Sequence, residues 1–214
     1  MEITAGFTAR TDRELVRRVA RYRRKVFVDG LSWPLQTLNG LELDQFDDDH
    51  TVYVAALDAS GEVAGCARLL PTTRPYLLSE VFPQLMRGQP LPRAPQIWEL
   101  SRFAAVDIHT QPDTLRQRGP FSSPVAVDLL RASLACAQKQ RAHQLITVSP
   151  VAVERLLRSA GFRARRAAAP VRVNGHWLFA CLIDCVEEEA PRPHDSVSQP
   201  GRHALADLPT PCHP

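Results

Sequence analysis

A single-domain mixed α/β sandwich is the architecture this sequence predicts, and three observations carry it. Strand-like apolar runs and helix-period segments alternate irregularly along the 214 residues, which disfavours a doubly wound parallel sheet. Hydrophobic residues make up 44% of the chain, enough for a sizeable core at this length. From Glu187 onward the composition shifts to a Pro-rich, apolar-poor run. The folded unit is therefore expected to span residues 1–186, with a tail at 187–214 whose composition is that of disorder.

The elements follow in order. Residues 12–28 carry helical period, with Leu15, Val19, Tyr22 and Val26 on one face. Residues 29–50 hold Gly30, Pro34, Asn39-Gly40 and a run of acids, the punctuation of a loop. Val52–Asp58 and Val63–Leu70, joined across Ser60-Gly61, read as a hairpin. Prolines crowd residues 71–95 and leave room for at most one short helix, around Leu78–Met86. Gln96–Val106 reads as a strand and Pro112–Pro120 as a loop. Val125–Arg141 is a long amphipathic helix, Gln144–Val148 a buried strand, and Val151–Ala160 a helix stopped by Gly161. Val171–Val173 and Trp177–Val186 form a closing hairpin across Asn174-Gly175.

A net charge of +3 is too mild to predict a nucleic-acid binder. Basic residues are almost all arginine; Lys25 and Lys139 are the only lysines. No apolar run approaches membrane-spanning length, and no secretion leader is recognisable. Five scattered cysteines fit reduced thiols better than a disulfide framework, so a cytoplasmic location is expected.

Glu42, Asp44, Asp47, Asp48 and Asp49 fall within eight residues of an otherwise basic chain. Carboxylates this close repel, so they must face water, hold a metal, or meet cations from elsewhere in the chain. The spacing lacks the Asp-x-Asp-x-Asp-Gly order of a calcium loop, and no metal is expected. Arg68 and Arg102 lie inside strand-like runs, where a charge is costly unless paired, and are natural partners for Asp44 and Asp47. Alternation puts Glu99 and Ser101 on one strand face and Leu100 and Arg102 on the other, unless a bulge re-aims one of them.

Taken together, Arg23-x-x-x-Phe27, Trp33, Glu42-x-Asp44-x-x-Asp47, Arg68 and Glu99-x-x-Arg102 resemble the acyl-homoserine-lactone synthases, the LuxI-type autoinducer synthases of quorum-sensing bacteria. The text from Ala67 to Leu78 also looks like that family, and the likeness spans about residues 15–185. It implies the fold of the GCN5-related N-acetyltransferases, a V-splayed mixed sheet flanked by helices. It implies synthesis of an N-acyl-homoserine lactone from S-adenosylmethionine and acyl-acyl carrier protein, with no cofactor beyond the substrates.

Roles follow from the resemblance. Glu99 is the candidate general base, with Ser101 and Arg102 beside it in the catalytic strand. Phe27 and Trp33 are expected to pack on the adenosyl-sulfonium end of S-adenosylmethionine. Arg23 is expected to meet its carboxylate or to tie down the acidic loop. Glu42, Asp44 and Asp47 form an ion-pair network with Arg68 and Arg102, while Asp48 and Asp49 stay solvated. The acyl chain is expected against Leu100, Val148, Leu156 and Leu182, with Thr147 at the position the family links to 3-oxo groups. Backbone N–H groups near Arg102–Ala104 are candidates for the thioester oxygen. Arg155 and Arg158, in a basic stretch, are the candidate docking residues for the acidic carrier protein. The alternative is a GCN5-type acyltransferase using acyl-CoA; the sequence shows none of the Gly-rich pyrophosphate loop that such enzymes carry.

Overall fold

A computed structural model describes residues 1–185 apart from 108, 110 and 119–123, and within these it leaves aside the side chains of 112, 118, 152 and 156. The expected tail at 187–214 and the side chain of Leu156 thus lie outside the described residues. The chain opens with β1 (Glu2–Phe7) and α1 (Arg13–Arg23), which runs on as a π-helical turn over Arg24–Gly30. Then come β2 (Val52–Leu57), β3 (Val63–Pro71), the one-turn α2 (Leu77–Glu80), a 3-10 turn at Pro83–Met86, and β4 (Ile97–Ala105). The second half holds α3 (Pro112–Arg118), α4 (Val125–Lys139), β5 (Gln144–Pro150), α5 (Val151–Ser159), β6 (Ala164–Arg166), β7 (Val171–Val173) and β8 (His176–Asp184).

The strands make one mixed sheet in the order β1-β2-β3-β4-β5-β8-β6, with β7 also on β8. Among the described residues only β4 and β5 run parallel. Their ladder has three pairs and ends at Glu99↔Ile146, although β4 continues to Ala105 and β5 to Pro150. The sheet therefore forks there, which is the V-splay expected of this fold. One face is covered by α4 and α5: Val52, Val54, Leu69, Trp98, Leu100, Leu129, Leu145 and Leu157 share that core. On the other face Val19, Tyr22, Val26 and Phe27 pack on Tyr53, Ala55 and Cys66. Beside them, Leu70, Tyr76, Leu78, Leu85, Ile146 and Leu182 form a third apolar cluster. The Tyr22 hydroxyl pins α1 to the sheet by donating to the Val106 carbonyl (2.9 Å) and accepting from the Val106 N–H (2.8 Å).

Three segments correct the sequence reading. Residues 112–118 are a helix, not a loop. Pro112 suits the first helical turn, where its missing N–H has no partner to lose. Leu115 of this helix packs so closely on the π-helical turn that a Cβ on Gly30 would lie 2.4 Å from its Cδ2. β1 and β6 were also unforeseen. β1 carries a period-two signal, with Ile3 and Phe7 packed toward the α4 core. β6 is three residues long and is held by its partner β8 rather than by its own pattern. The hairpin at Asn174-Gly175 does form, with both residues in the left-handed region (φ 48 and 85) that a two-residue turn requires. No helix among the described residues is long and apolar enough to cross a membrane.

Candidate active site

The acidic loop lies over the face of the sheet that carries α1. Arg23, at the C-terminal end of α1, is fully enclosed. Its Nε donates to Glu42 (2.6 Å), and Nη1 and Nη2 donate to the two oxygens of Asp47 (2.8 and 3.0 Å). Arg68 Nη1 donates to Asp44 (2.6 Å) and Asp47 (3.0 Å). Arg102 Nη2 donates to Glu42 (3.0 Å) and Asp44 (2.8 Å). Each arginine thus meets two acids and each acid two arginines. The six close a ring of alternating charge, Arg23–Glu42–Arg102–Asp44–Arg68–Asp47, with formal charge zero. Its strength rests on that closure, since a buried charge that loses its partner is expensive.

The ring explains the loop. Asp47 also accepts from the Asp44 N–H (2.7 Å), and the Asp44 side chain from the Phe46 N–H (2.9 Å), so the turn is locked by the acids that pair across the fold. Tyr53, the register partner of Arg68 on β2, donates its hydroxyl to Asp47 (2.6 Å). Burial by itself would raise the Asp47 carboxyl, but the Arg23 and Arg68 guanidiniums outweigh it and hold the group well below the usual carboxylate range. Burial and the neighbouring Asp47 push the Tyr53 phenol upward. Tyr53 was missing from the sequence reading; strand alternation across from Arg68 was the signal for it. Asp48 and Asp49 are exposed; the Asp48 side chain pairs with Arg74 at the surface (3.3 Å) and accepts from the His50 N–H (2.9 Å).

Arg102 reaches this ring because simple alternation fails. The β3–β4 register slips between Cys66↔Ala104 and Arg68↔Ser101, so β4 carries one extra residue. Arg102 sits at that bulge with φ 49. Its side chain joins Ser101 and Glu99 on the α1 face, and Phe103 takes the opposite face, against the α4 core. Ser101 accepts from Arg68 Nε (3.0 Å).

Among the described residues no cation is in hydrogen-bond contact with Glu99. Its two oxygens accept from the backbone N–H groups of Leu77 (2.9 Å) and Leu78 (2.7 Å), which start α2. Burial is the dominant influence and carries its pKa up to about 7, with those two N–H groups and the more distant Arg68 and Arg102 acting in the opposite direction. Each carboxylate oxygen keeps a further lone pair for a proton or a water.

Phe27 and Trp33 stack with ring centroids 4.9 Å apart and planes at 21°. Phe27 is buried with Arg102 Cζ 6.0 Å from its ring, whereas Trp33 is 42% exposed and offers aromatic surface to a ligand. Arg23 does not belong with this pair: all its nitrogens are hydrogen-bonded within the ring and its Tyr53 contact, so of its two expected roles the geometry gives the tie on the acidic loop. The expected acyl-pocket residues do not form one wall. Leu100 and Thr147 lie on the α4 side, while Val148 and Leu182 lie with the Leu70 cluster on the other. Strand parity separates them, yet Leu100 and Thr147 are the first residues past the fork. A cavity of about 490 Å³ opens at the other end of the β4–β5 pair, around Gln96, His143 and Asp184, away from this constellation. Arg155 and Arg158 are exposed on α5; Arg158 (3.3 Å) and Arg166 (2.6 Å) both pair with Glu154. Cys66, Cys136, Cys181 and Cys185 are buried free thiols. Among the described residues no His, Cys, Asp or Glu are grouped to hold a metal ion.

Comparison with known proteins bears on this arrangement. A model of the autoinducer synthases matches residues 7–192. The acyl-homoserine-lactone synthase of Acinetobacter nosocomialis is 53% identical over 184 residues, covering 86% of this chain and all of that protein. The solved structure of TofI in a ternary complex with an inhibitor and MTA aligns with TM-score 0.72 at 42% identity, over 86% of this chain and 92% of that one. BjaI, a CoA-dependent acyl-homoserine lactone synthase solved with SAM and isopentyl-CoA, aligns with TM-score 0.74 at 29% identity, over 86% and 83%. A Lactobacillus plantarum protein described as an N-acetyltransferase shares the fold alone, at TM-score 0.54 and 16% identity over 87% of this chain and all of that one.

Proposed function

The chain belongs to the autoinducer synthase family and is an acyl-homoserine-lactone synthase, an acyltransferase; we propose that it joins S-adenosylmethionine to an acyl group delivered on acyl carrier protein. The observation that carries this reading is the placement of Glu99. It is a buried carboxyl with a pKa near 7, on the same strand face as the ring and at the point where the sheet forks. The MTA bound by TofI and the SAM bound by BjaI support the choice of nucleotide.

In the first step the α-amine of S-adenosylmethionine attacks the thioester carbonyl, the C–N bond forms, the acyl C–S bond breaks, and the carrier leaves as a thiolate that takes up the proton Glu99 has removed. Glu99, ionised, takes the amine proton directly or through a water. In the second step the substrate carboxylate attacks its own γ-carbon, the C–S bond breaks, and its electron pair neutralises the sulfonium as methylthioadenosine departs. The ring closure is intramolecular, so holding a folded conformer supplies much of its rate. Trp33 and Phe27 receive the adenosyl-sulfonium end, and backbone N–H groups near Arg102–Ala104 receive the thioester oxygen. The fork between β4 and β5 receives the acyl chain, with Leu100, Thr147, Val148 and Leu182 at its sides. No resident cofactor is required, because thioester and sulfonium are already activated leaving groups. Arg155 and Arg158 meet the acidic carrier, and the reaction takes place in the cytoplasm. The CoA dependence of BjaI favours one second reading, an acyl-CoA donor.

One assay decides among these. The protein is incubated with S-adenosylmethionine and matched acyl-carrier and acyl-CoA donors, and methylthioadenosine and lactone are followed by mass spectrometry. Higher kcat/KM with the carrier, and a KM for the carrier that rises with salt while that for S-adenosylmethionine does not, is the expected result. Preference for acyl-CoA selects the second reading, and no methylthioadenosine with any donor overturns both.

A further inference from the structure

Arg68 holds a donor that the ring does not use. The residue is fully enclosed. Nε donates to Ser101 (3.0 Å) and Nη1 to Asp44 and Asp47 (2.6 and 3.0 Å). Nη2 is shielded from solvent and has no hydrogen-bond partner among the described residues. A guanidinium is a rigid planar fork, so one Nη2–H runs beside Nε–H, toward β4, where Ser101 lies. The Phe46 ring lies 5.7 Å from Arg68 Cζ, and Phe46 belongs with Leu70, Ile146 and Leu182 to the third apolar cluster. Nη2 thus stands at the seam between a charged ring and an apolar compartment.

The chemistry of that seam selects its ligand. Nη2 can only donate, so it requires an acceptor. The ring is already balanced, three arginines against three acids. A carboxylate placed there would add an uncompensated buried charge, whereas a neutral oxygen would not. The apolar cluster suits a chain whose polar atoms are few. Glu99, diagonal to Arg68 across the strand pair, is already held by Leu77 and Leu78. We propose that Arg68 Nη2 donates a hydrogen bond to a carbonyl oxygen of the acyl donor, making this arginine a substrate-contacting member of the ring. The oxygen is that of the thioester or that of a chain oxidised at its third carbon. The inference rests on the synthase reading above.

The test uses the full chain and the variant Arg68→Lys, which keeps a cation for Asp44 and Asp47 but has no second arm. Turnover is measured with octanoyl and 3-oxo-octanoyl donors, alongside the unfolding midpoint and the affinity for methylthioadenosine. A folded, methylthioadenosine-binding variant is expected to lose about tenfold or more in kcat/KM, the scale of one hydrogen bond from a charged donor. Loss on both donors assigns the thioester oxygen; loss on the 3-oxo donor alone assigns the chain oxygen. Wild-type rates on both donors overturn the proposal. If Arg68→Lys does not fold, the infrared bands of donors carrying 13C at either carbonyl are recorded on the wild-type protein and on Ser101→Ala, in which Arg68 Nε is released. A bound carbonyl band below its position in water, and less displaced in Ser101→Ala, supports the contact; bands indifferent to both binding and variant overturn it. Wild-type protein that releases no methylthioadenosine with any donor fails the synthase reading itself, a result distinct from wild-type turnover that Arg68→Lys leaves intact.

Discussion

Asp47 and Glu99 are enclosed carboxylates over one face of one sheet, within reach of the same arginines, yet their surroundings act on them in opposite directions. Asp47 sits between two guanidiniums and is held far below its ordinary range. Glu99 receives two backbone N–H groups and no cation among the described residues, and burial carries it up to about 7. The contrast separates two uses of a buried acid. Charge partners in contact make a permanently ionised group that holds a loop in place. Desolvation with dipoles alone makes a group that can take and release a proton near neutrality.

Opening the ring is the strongest way to break this comparison. Arg23→Ala is expected to cost about 3–5 kcal/mol, because it leaves the three ring acids facing two arginines, with Glu42 held by Arg102 alone and Asp47 by Arg68 and Tyr53. Urea unfolding measures it, and a loss below about 1 kcal/mol would mean the ring does not hold the loop. Glu99→Gln should leave the fold nearly intact, since its amide oxygen still accepts one of the two N–H groups, at a cost of about 1 kcal/mol. Its acyl-transfer rate should fall by about 10² to 10⁴, and single-turnover kinetics with unchanged rates would remove Glu99 as the base.

The pH dependence sharpens the contrast further. The folded pKa of Glu99 is raised from an unfolded value of about 4.3 to about 7. Its contribution to stability is therefore complete below the unfolded value and lost as pH rises through about 7. Over the same window the base becomes ionised and turnover rises. Asp47 has a lowered folded pKa, so its contribution is present above about 3.9 and is lost as pH falls below it. Unfolding of wild type and Glu99→Gln between these limits should show the neutral-side slope in the wild type alone. The smallest effect belongs to the solvated edge of the loop: Arg74→Ala breaks an exposed pair with Asp48 and should change stability by less than about 0.5 kcal/mol in the same unfolding measurement.

Five members of the ring were visible in the sequence as charges in costly places, the three crowded acids and the two strand arginines, whereas Arg23 came only with the family motif; the strand–loop punctuation around them was legible too. Their wiring was not. Arg102 pairs with Glu42 and Asp44 only because a bulge turns it to the face that alternation denied it. The short helix at 112–118 carried a start signal in Pro112, but its packing partner, Gly30, is far away in sequence.

The sequence by itself determined the mixed α/β class, the hairpins, the long helices and the set of ionisable groups that must find partners, because period and local turn chemistry act over a few residues. The tertiary structure alone decided which arginine meets which acid, that the pairs close into a neutral ring, and that Glu99 meets backbone N–H groups rather than a cation. Charge pairing and desolvation depend on distance and burial across segments tens of residues apart, and no local pattern carries that information.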